Sequence, residues 1–385
     1  MCAPRSPSPQ GQRGFTLVEM MVGLLLAMLT TIIVAQVMVK AEGNRRATTS
    51  GADAQVNGAL ALFSLQRDIQ SAGYGLAVNP SALGCTVNYA YNNTVGSFPL
   101  APVVITQGAS GAPDTIRVLS SAKGGFSVPV VTTAPHAVAD NYATVKSAFG
   151  TGAADLVVAV PSTYGTGLQC ALMQVAEDAS YTVGDTIIPH VTGGPWNPSS
   201  SATRAAIMPT NGYASGSTMV NLGSMVNRIF RINNASLVYN ELTATSGTET
   251  NASANGLSPE RALFSEIVNL QALYGIDTDG DRLVDTYTDA TPTTFTGWQQ
   301  VMSVRLVVVA RSANVEREVV TDTQPQWDLG SNATIVDTTA TSVTCLNANS
   351  SNCVQLKVDG DANWQHHRYR VYDTVIPLRN LLWNS

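Results

Sequence analysis

A long apolar run near the N-terminus is the feature that most constrains this chain. From Phe15 to Val39 the sequence has 25 residues and one charged side chain, Glu19. A helix of about 20 such residues, rising about 1.5 Å per residue, crosses the hydrocarbon core of a bilayer. The run is too long for an ordinary secretory signal, and no small-x-small cleavage site follows it. We therefore predict one membrane-spanning helix, with the remaining residues folded outside the lipid.

The residues before this run have a different character. Residues 1–14 are polar and contain two Ser-Pro steps and two arginines, Arg5 and Arg13. Such a segment is poorly suited to a packed helix and is typical of a cytoplasmic leader. Because Lys40 and Arg45 follow the apolar run, basic residues flank it on both sides, and charge alone does not set its orientation.

Glu19 needs an explanation, because a carboxylate at membrane depth costs about 2.5–3.5 kcal/mol on insertion scales. A cut after Gly14 would create a new cationic amine on Phe15 close to the membrane interface. The same amine on a neighbouring subunit could then neutralise Glu19. The alternative is a plain signal anchor in which Glu19 has no function.

The motif at 13–19, RGFTLVE, resembles the class III signal of type IV prepilins. The resemblance implies that a prepilin peptidase cuts after Gly14 and methylates the new N-terminal Phe15. It also implies that Glu19 sets the register of one subunit against the next. Residues 1–14 would then be the prepilin leader, and residues 15–39 the transmembrane half of a helix that also forms the core of a filament.

Helical periodicity continues beyond the apolar run. Residues 40–75 alternate an apolar face with a wetter one, as an amphipathic helix does. No proline occurs between Phe15 and Asn79, so one continuous helix is allowed, and Gly73 and Gly75 are plausible stop residues. Residues 76–385 are predicted to be a globular, β-rich head.

The head shows short apolar runs separated by Gly, Ser, Asn and Pro clusters. Strands are predicted at 102–106, 115–119, 128–132, 155–160, 171–175, 227–232, 236–239, 301–309 and 368–378. Pro129 should confine the third of these strands to a sheet edge. A helix is predicted at 259–274, with Ser258 as its cap, and long surface loops at 193–220 and 240–257. The fold class is therefore α+β and pilin-like: a long N-terminal helix packed on an antiparallel β-sheet head with long loops.

Three further segments are similar to the PilW group of minor pilins: 65–74 (LQRDIQSAGY), 270–275 (LQALYG) with Trp298 and 304–312 after it, and 370–381 (RVYDTVIPLRNL). The resemblance implies a minor pilin that takes part in pilus assembly or priming and can lie near the tip. Its implied partners are other minor and major pilins, a tip adhesin, the prepilin peptidase and the inner-membrane assembly platform. The protein would lie in the bacterial inner membrane as a single-pass chain with a periplasmic head, and then in the pilus filament at the cell surface.

The number and spacing of the cysteines predict disulfides. With Cys2 in the leader, an even number remains, without a CxxC pair: Cys85, Cys170, Cys345 and Cys353. Even, widely spaced cysteines in an exported chain usually form disulfides. Three pairings are possible. We favour Cys345–Cys353, which closes a short loop, and this leaves Cys85–Cys170 to close a long one; buried free thiols are the alternative.

An aspartate-rich segment, 277–285 (DTDGDRLVD), has a spacing similar to that of a calcium loop. The candidate ligands are Asp277, Asp279, Asp281, the Leu283 carbonyl and Asp285. The match is incomplete, because Arg282 occupies the usual glycine position and Thr288 the usual glutamate position. We predict a structural calcium site, and a solvated acidic turn is the alternative.

Composition and motifs bear on other functions. A net charge of −6 and the lack of a basic stripe argue against nucleic acid as a partner. The four histidines form no metalloprotease or zinc motif, and neither a nucleophile elbow nor a phosphate-binding loop occurs, so we do not expect an enzyme. Two alternatives to a minor pilin stay open: a type II secretion pseudopilin, which uses the same leader, and a pilus-associated adhesive module.

Overall fold

The computed structural model describes residues 14–76, 82–124, 129–163, 169–335, 345 and 352–382. The chain divides into two compact units, the first ending at Ala52 and the second beginning at Asp53.

Within the described residues the α-helices are α1 (Leu17–Ser71), α2 (Ser201–Ile207), α3 (Phe295–Gln299) and α4 (Arg379–Leu382). Helix α1 ends where the glycines predict a stop. Gly73 adopts a φ of +79°, a left-handed conformation that glycine reaches without strain, and its N–H donates to the Leu119 carbonyl at 2.8 Å. This bond directs the chain from the helix into the head.

The strands of the described part are β1 (Thr86–Tyr91), β2 (Thr94–Pro99), β3 (Val103–Thr106), β4 (Thr115–Ser120), β5 (Val130–Val131), β6 (Tyr142–Thr144), β7 (Leu156–Val160), β8 (Cys170–Gln174), β9 (Ile187–Pro189), β10 (Thr218–Gly223), β11 (Val226–Asn233), β12 (Ser236–Glu241), β13 (Arg261–Ser265), β14 (Ile267–Ile276), β15 (Thr286–Thr288), β16 (Val301–Arg311), β17 (Gln326–Asp328), β18 (Ala333–Thr334), β19 (Cys353–Gln355) and β20 (Tyr369–Pro377).

These strands form three main sheets and two short ribbons, β17–β19 and β6–β9. The first sheet has the order β2-β1-β8-β7-β10-β5, with β1 and β8 parallel. The second sheet, β13-β12-β11-β4-β3, is antiparallel throughout. The third sheet has the order β18-β15-β14-β16-β20 and is antiparallel except for the pair β15 and β18. The predicted α+β class with a long N-terminal helix is confirmed, although the head contains several sheets and two of them are mixed.

The C-terminal part of α1 packs into the main core of the head. Ala54, Ala61, Leu65 and Ile69 are buried, and their spacing places them on one face of the helix. The same core contains side chains of the second and third sheets, among them Phe230 and many of β14 and β16. Burying these apolar surfaces together is what holds the helix on the sheets.

Two further cores lie against the faces of the first sheet. The fully buried Trp196 belongs to one of them and is anchored by its indole N–H, which donates to the Ala244 carbonyl at 3.0 Å. A fourth core covers the outer face of the third sheet and includes Trp327 and Leu356. Strand β14 is therefore buried on both of its faces.

The predicted helix at 259–274 is wrong. The segment forms β13 and β14, separated by Glu266, which has a φ of +58°. Ser258 caps no helix; its hydroxyl accepts from the Glu241 N–H at 2.8 Å and so ties the start of β13 to the end of β12. Because β14 is buried on both faces, its apolar residues do not alternate, and their spacing fits a helix equally well.

The predicted strands correspond to observed ones, with ends shifted by one or two residues. Strand β5 lies at a sheet edge, as Pro129 predicted. The predicted loop at 193–220 is wrong in part, since it contains α2 and the start of β10, whereas 240–257 contains only the last residues of β12 and one short 3₁₀ turn, Ser246–Thr248. Helix α2 is capped by Ser200, whose hydroxyl accepts from the Thr203 N–H.

Two disulfides join the cysteines that the sequence analysis paired. Cys85 is bonded to Cys170, with a separation of 85 residues, and Cys345 to Cys353, with a separation of 8. The first disulfide connects the start of β1 to β8 within the first sheet. It therefore closes most of that sheet into one covalent loop.

Candidate functional site

The start of α1 contains a reciprocal cap made by Thr16 and Glu19. Glu19 Oε2 accepts from the Thr16 N–H and from its hydroxyl, both at 3.0 Å, and the Glu19 N–H points to Thr16 Oγ1 at 3.3 Å. This is a capping box, which satisfies backbone donors that the first helical turn leaves unpaired. The Glu19 carboxylate therefore has partners within its own chain and still has lone pairs for another donor.

The T-x-x-E spacing at 16–19 is the sequence signature of this capping box, so the partner of Glu19 within its own chain is a local feature.

The bond between Gly14 and Phe15 lies outside the helix, which starts at Leu17. Both residues are exposed, and Phe15 keeps 86% of its surface accessible. The following stretch, Leu17–Gly43, has 27 residues and a mean hydropathy of 2.4, and none of its most apolar window is buried. By length and composition this helix can cross a membrane, and the proposed cleavage site precedes it by two residues.

The aspartate-rich segment is the loop of a β-hairpin. Strands β14 and β15 pair through Ile276 and Thr286, and residues 277–285 connect them. Asp277 is buried, and its backbone N–H donates to the Gln300 carbonyl at 2.9 Å. The loop is thus fixed to the third sheet at its first residue.

Asp277 also organises the loop above it. Its two carboxylate oxygens accept from the backbone of Gly280, at 2.6 Å, and of Arg282, at 2.8 Å. Arg282 has a φ of +70°, so the backbone adopts at this position the left-handed conformation for which a calcium loop normally uses glycine. The arginine that departs from the motif in sequence is therefore accommodated in conformation.

Three of the predicted ligands come together. Carboxylate oxygens of Asp277, Asp279 and Asp285 lie within 4.8 Å of one another, a group that could hold a metal ion. Asp281 lies outside this group; one of its oxygens accepts from the Leu283 N–H at 2.7 Å. The structure therefore brings together the first, third and ninth positions of the predicted loop and leaves the fifth apart.

Asp285 is held in its charged form. Thr278 donates to Asp285 Oδ2 from its hydroxyl at 2.6 Å and from its backbone at 2.7 Å. These hydrogen bonds, the hydroxyl first, lower the pKa of Asp285. An oxygen that stays ionised near neutral pH is the kind of ligand that a hard cation requires.

A buried histidine pair is a feature that sequence reasoning missed. His136 and His190 lie far apart in the chain, yet their Nε2 atoms are 2.7 Å apart and both side chains are buried. One ring must donate to the other, so the contact fixes a relative tautomer. Burial is the main cause that lowers the pKa of His136 to about 4 and that of His190 to about 3. The pair is neutral at physiological pH.

Comparisons with known proteins bear on both ends of the chain. Residues 229–380 match a family model described as Type IV Pilus-assembly protein W, PilW, and residues 9–35 match the prokaryotic N-terminal methylation motif. No curated protein and no solved structure matches the chain. The PilW match covers the whole third sheet and the aspartate-rich loop, whereas the strands of the first sheet all lie outside it.

Proposed function

We propose that the chain, which is similar to PilW over residues 229–380 and to the N-terminal methylation motif over residues 9–35, is a minor pilin that a prepilin peptidase processes and that then takes part in pilus assembly or priming. Its head would face the periplasm while the N-terminal part of α1 lies in the inner membrane, and the assembled protein would reach the filament at the cell surface. Other pilins, a tip adhesin and the assembly platform would be its partners. The observation that carries this proposal is the exposed Gly14–Phe15 bond directly before the capped start of α1 and its exposed apolar part, Leu17–Gly43.

The processing step has a direct test. Intact mass and N-terminal sequencing of the protein from membranes and sheared filaments should give a chain that starts at methylated Phe15. An intact leader, or a cut elsewhere, would leave only a membrane-anchored exported protein and would contradict the proposal.

The role of Glu19 can be separated into charge and capping. Glu19→Gln keeps the capping box, since glutamine serves at this position, but removes the negative charge. Thr16→Ala removes the cap, at a cost of about 0.5–2 kcal/mol in helix stability, and keeps the charge. If Glu19 pairs with the amine of a neighbouring subunit, Glu19→Gln should fail to restore surface piliation in a deletion strain and Thr16→Ala should restore most of it.

The opposite result would assign Glu19 to the cap alone and remove the intersubunit role. Normal piliation in the deletion strain itself would contradict the assembly function. In that case, loss of protein secretion would favour a pseudopilin. If the deletion strain has normal piliation and the purified protein binds to cells, an adhesive module would be favoured.

We further propose that the aspartate-rich loop binds calcium in a structural role. The three clustered carboxylates, one of them held ionised, and the left-handed Arg282 support this proposal. Three carboxylates repel one another in a small volume, and a hard cation with oxygen ligands offsets that repulsion. Waters and backbone carbonyls would have to complete the six to eight oxygens that calcium prefers.

Isothermal titration calorimetry of the full chain in detergent tests the site. Asp279→Ala should abolish the calcium heat, because Asp279 is exposed and belongs to the carboxylate group. Asp281→Ala is the matched control, since Asp281 lies outside the group. Absence of heat in the unmodified protein, or equal loss in both variants, would contradict the proposed ligand set.

A further inference from the structure

Three side chains from separate parts of the head meet beside the first sheet. Asp155 Oδ2 accepts from Lys123 Nζ at 2.6 Å and from Asn221 Nδ2 at 2.9 Å. Lys123 follows β4, Asp155 precedes β7, and Asn221 lies on β10. A carboxylate therefore bridges an amine and a carboxamide, which are the two groups that combine to form an amide bond.

The surroundings bring the amine and the carboxamide together. The segment that carries Lys123 runs beside β10, because the Ala122 N–H donates to the Leu222 carbonyl at 3.0 Å. Gly223 allows this approach of the two backbones. A Cβ on Gly223 would lie 3.2 Å from the backbone nitrogen of Lys123, and the φ of Gly223 is +61°. The Asn221 side chain is 4% exposed, and those of Asp155 and Lys123 are 13% and 27% exposed. The carboxamide and the bridging carboxylate are thus largely shielded from water.

The carboxamide oxygen also has a donor. Asn221 Oδ1 accepts from the Gly223 N–H at 2.8 Å. A backbone N–H in this position stabilises the negative charge that forms on the oxygen when a nucleophile attacks the carbonyl carbon. The Nδ2 amide group faces Asp155 Oδ2 and, at 3.3 Å, the Gly150 carbonyl. The Nδ2 group of Asn221, which must leave, therefore lies against the Asp155 carboxyl, which can supply a proton.

We propose that Lys123 and Asn221 become joined by an intramolecular amide bond, with Asp155 as the proton-transfer group. The Lys123 ammonium passes a proton to Asp155, and the neutral Nζ attacks Asn221 Cγ. The Nζ–Cγ bond forms and the Cγ–Nδ2 bond breaks. Asp155 gives that proton to the leaving nitrogen. It then takes the second proton, which the attacking nitrogen releases, and passes it to the same leaving group, so that Asp155 is ionised again at the end. The nitrogen leaves as ammonium, and the reaction needs no oxidant and no other reactant.

The position of this bond gives it a mechanical consequence. Strands β5 to β9 and α2 lie in the chain between Lys123 and Asn221, and the cross-link would close this excursion at its base. A closed excursion cannot be drawn out when force is applied to the two ends of the chain. Together with Cys85–Cys170, the bond would fasten the first sheet covalently, and in contrast to the disulfide it would persist under reduction.

Intact mass of the fully reduced full-length protein tests the proposal. The measured mass of the protein without substitutions should be one ammonia molecule lower than the mass calculated from its sequence. Tandem mass spectrometry should find a branched peptide that joins Lys123 to Asn221. Proteolytic nicking within the excursion should yield fragments that stay together on a reducing, denaturing gel. A mass with no loss of ammonia, indicating an ion pair only, would overturn the proposal.

Two variants assign the roles. Lys123→Arg keeps the cation beside Asp155 but cannot form the bond, so its mass should show no loss and its nicked fragments should separate. Asp155→Asn keeps the shape of the side chain and removes the base, and it should also leave the mass unreduced. Persistent loss of ammonia in Lys123→Arg would place any cross-link elsewhere, and loss in Asp155→Asn would exclude Asp155 as the proton-transfer group.

Discussion

Glycine 58 allows α1 to approach the third sheet, and replacing it with alanine should destabilise the head. A Cβ at Gly58 would lie 2.3 Å from Tyr372 Cε2, 2.8 Å from Tyr372 Cδ2 and 3.0 Å from the Ala310 Cβ. Carbon atoms in contact prefer about 3.5–4.0 Å. Because Ala310 is fully buried on β16, the sheet cannot retreat, and the Tyr372 ring has to move.

Opposing effects set the magnitude of this change. In a helix interior, alanine is favoured over glycine by about 1 kcal/mol. Overpacking costs about 1–3 kcal/mol. Displacing the ring also breaks the hydrogen bond that Tyr372 donates to the Gln55 carbonyl at 3.1 Å, a loss of about 0.5–1.5 kcal/mol. The cost exceeds the gain, and Gly58→Ala should lower the free energy of unfolding by about 2 kcal/mol.

Guanidinium unfolding of the full-length protein in detergent, followed by tryptophan fluorescence, measures the effect. Gly51→Ala, in the same helix, is the matched control. Apart from the neighbouring helix backbone, a Cβ at Gly51 would have no described atom within 4 Å. This variant should show no loss of stability. In a Tyr372→Ala background most of the penalty of Gly58→Ala should disappear, since the two shortest contacts are with the Tyr372 ring and only the 3.0 Å contact with the Ala310 Cβ remains. If Gly58→Ala is as stable as Gly51→Ala with Tyr372 intact, the close-approach reasoning is refuted.

Two further predictions concern cross-links and pH. Replacing Cys85 and Cys170 with alanine should lower the free energy of unfolding by about 4–5 kcal/mol, because their disulfide closes a loop of 85 residues. Replacing Cys345 and Cys353 should lower it by only about 2–3 kcal/mol, because that loop has 8 residues. Equal shifts in the unfolding midpoint for the two pairs would contradict this dependence on loop length. The buried pair His136 and His190 should make the free energy of unfolding fall in acid. Folding lowers the pKa of each ring from 6.5, to about 4 and about 3, so below pH 6.5 the unfolded chain binds more protons than the folded one. The contribution of the pair is therefore complete above about pH 6.5 and is lost as the pH falls towards 4 and 3. Unfolding free energies measured across this range should show the slope, and a variant with His136→Gln and His190→Gln should show much less of it.

The N-terminal features could be read from the sequence because they are local. An apolar run long enough to span a bilayer, a glycine before a phenylalanine and a carboxylate five residues later need no tertiary contact to be recognised. The same holds for strands such as β16 and β20, whose composition favours the extended conformation. The stop of α1 at Gly73 belongs to this group too, because it follows from the backbone freedom of one residue.

The candidate sites were predictable only in part. The spacing of the aspartates indicated a metal loop, but which carboxylates converge depends on hydrogen bonds from Gly280 and Arg282 to Asp277, and those left Asp281 outside the group. Loop length favoured one of the three possible cysteine pairings. The strands then bring Cys85 next to Cys170, because β1 and β8 are neighbours in the first sheet. The capping role of Glu19 is local, because the T-x-x-E spacing at 16–19 predicts it.

The sequence by itself determined the apolar N-terminal helix, the N-terminal methylation motif, the α+β class and most of the long strands, because each depends on residues that are neighbours along the chain. Only the tertiary structure decided that 267–276 forms a strand, since burial on both faces removes the alternation that would reveal it. It alone brought His136 to His190, and Lys123 to Asp155 and Asn221. Contacts between residues far apart in sequence depend on how sheets pack and cross, and no local pattern records that arrangement.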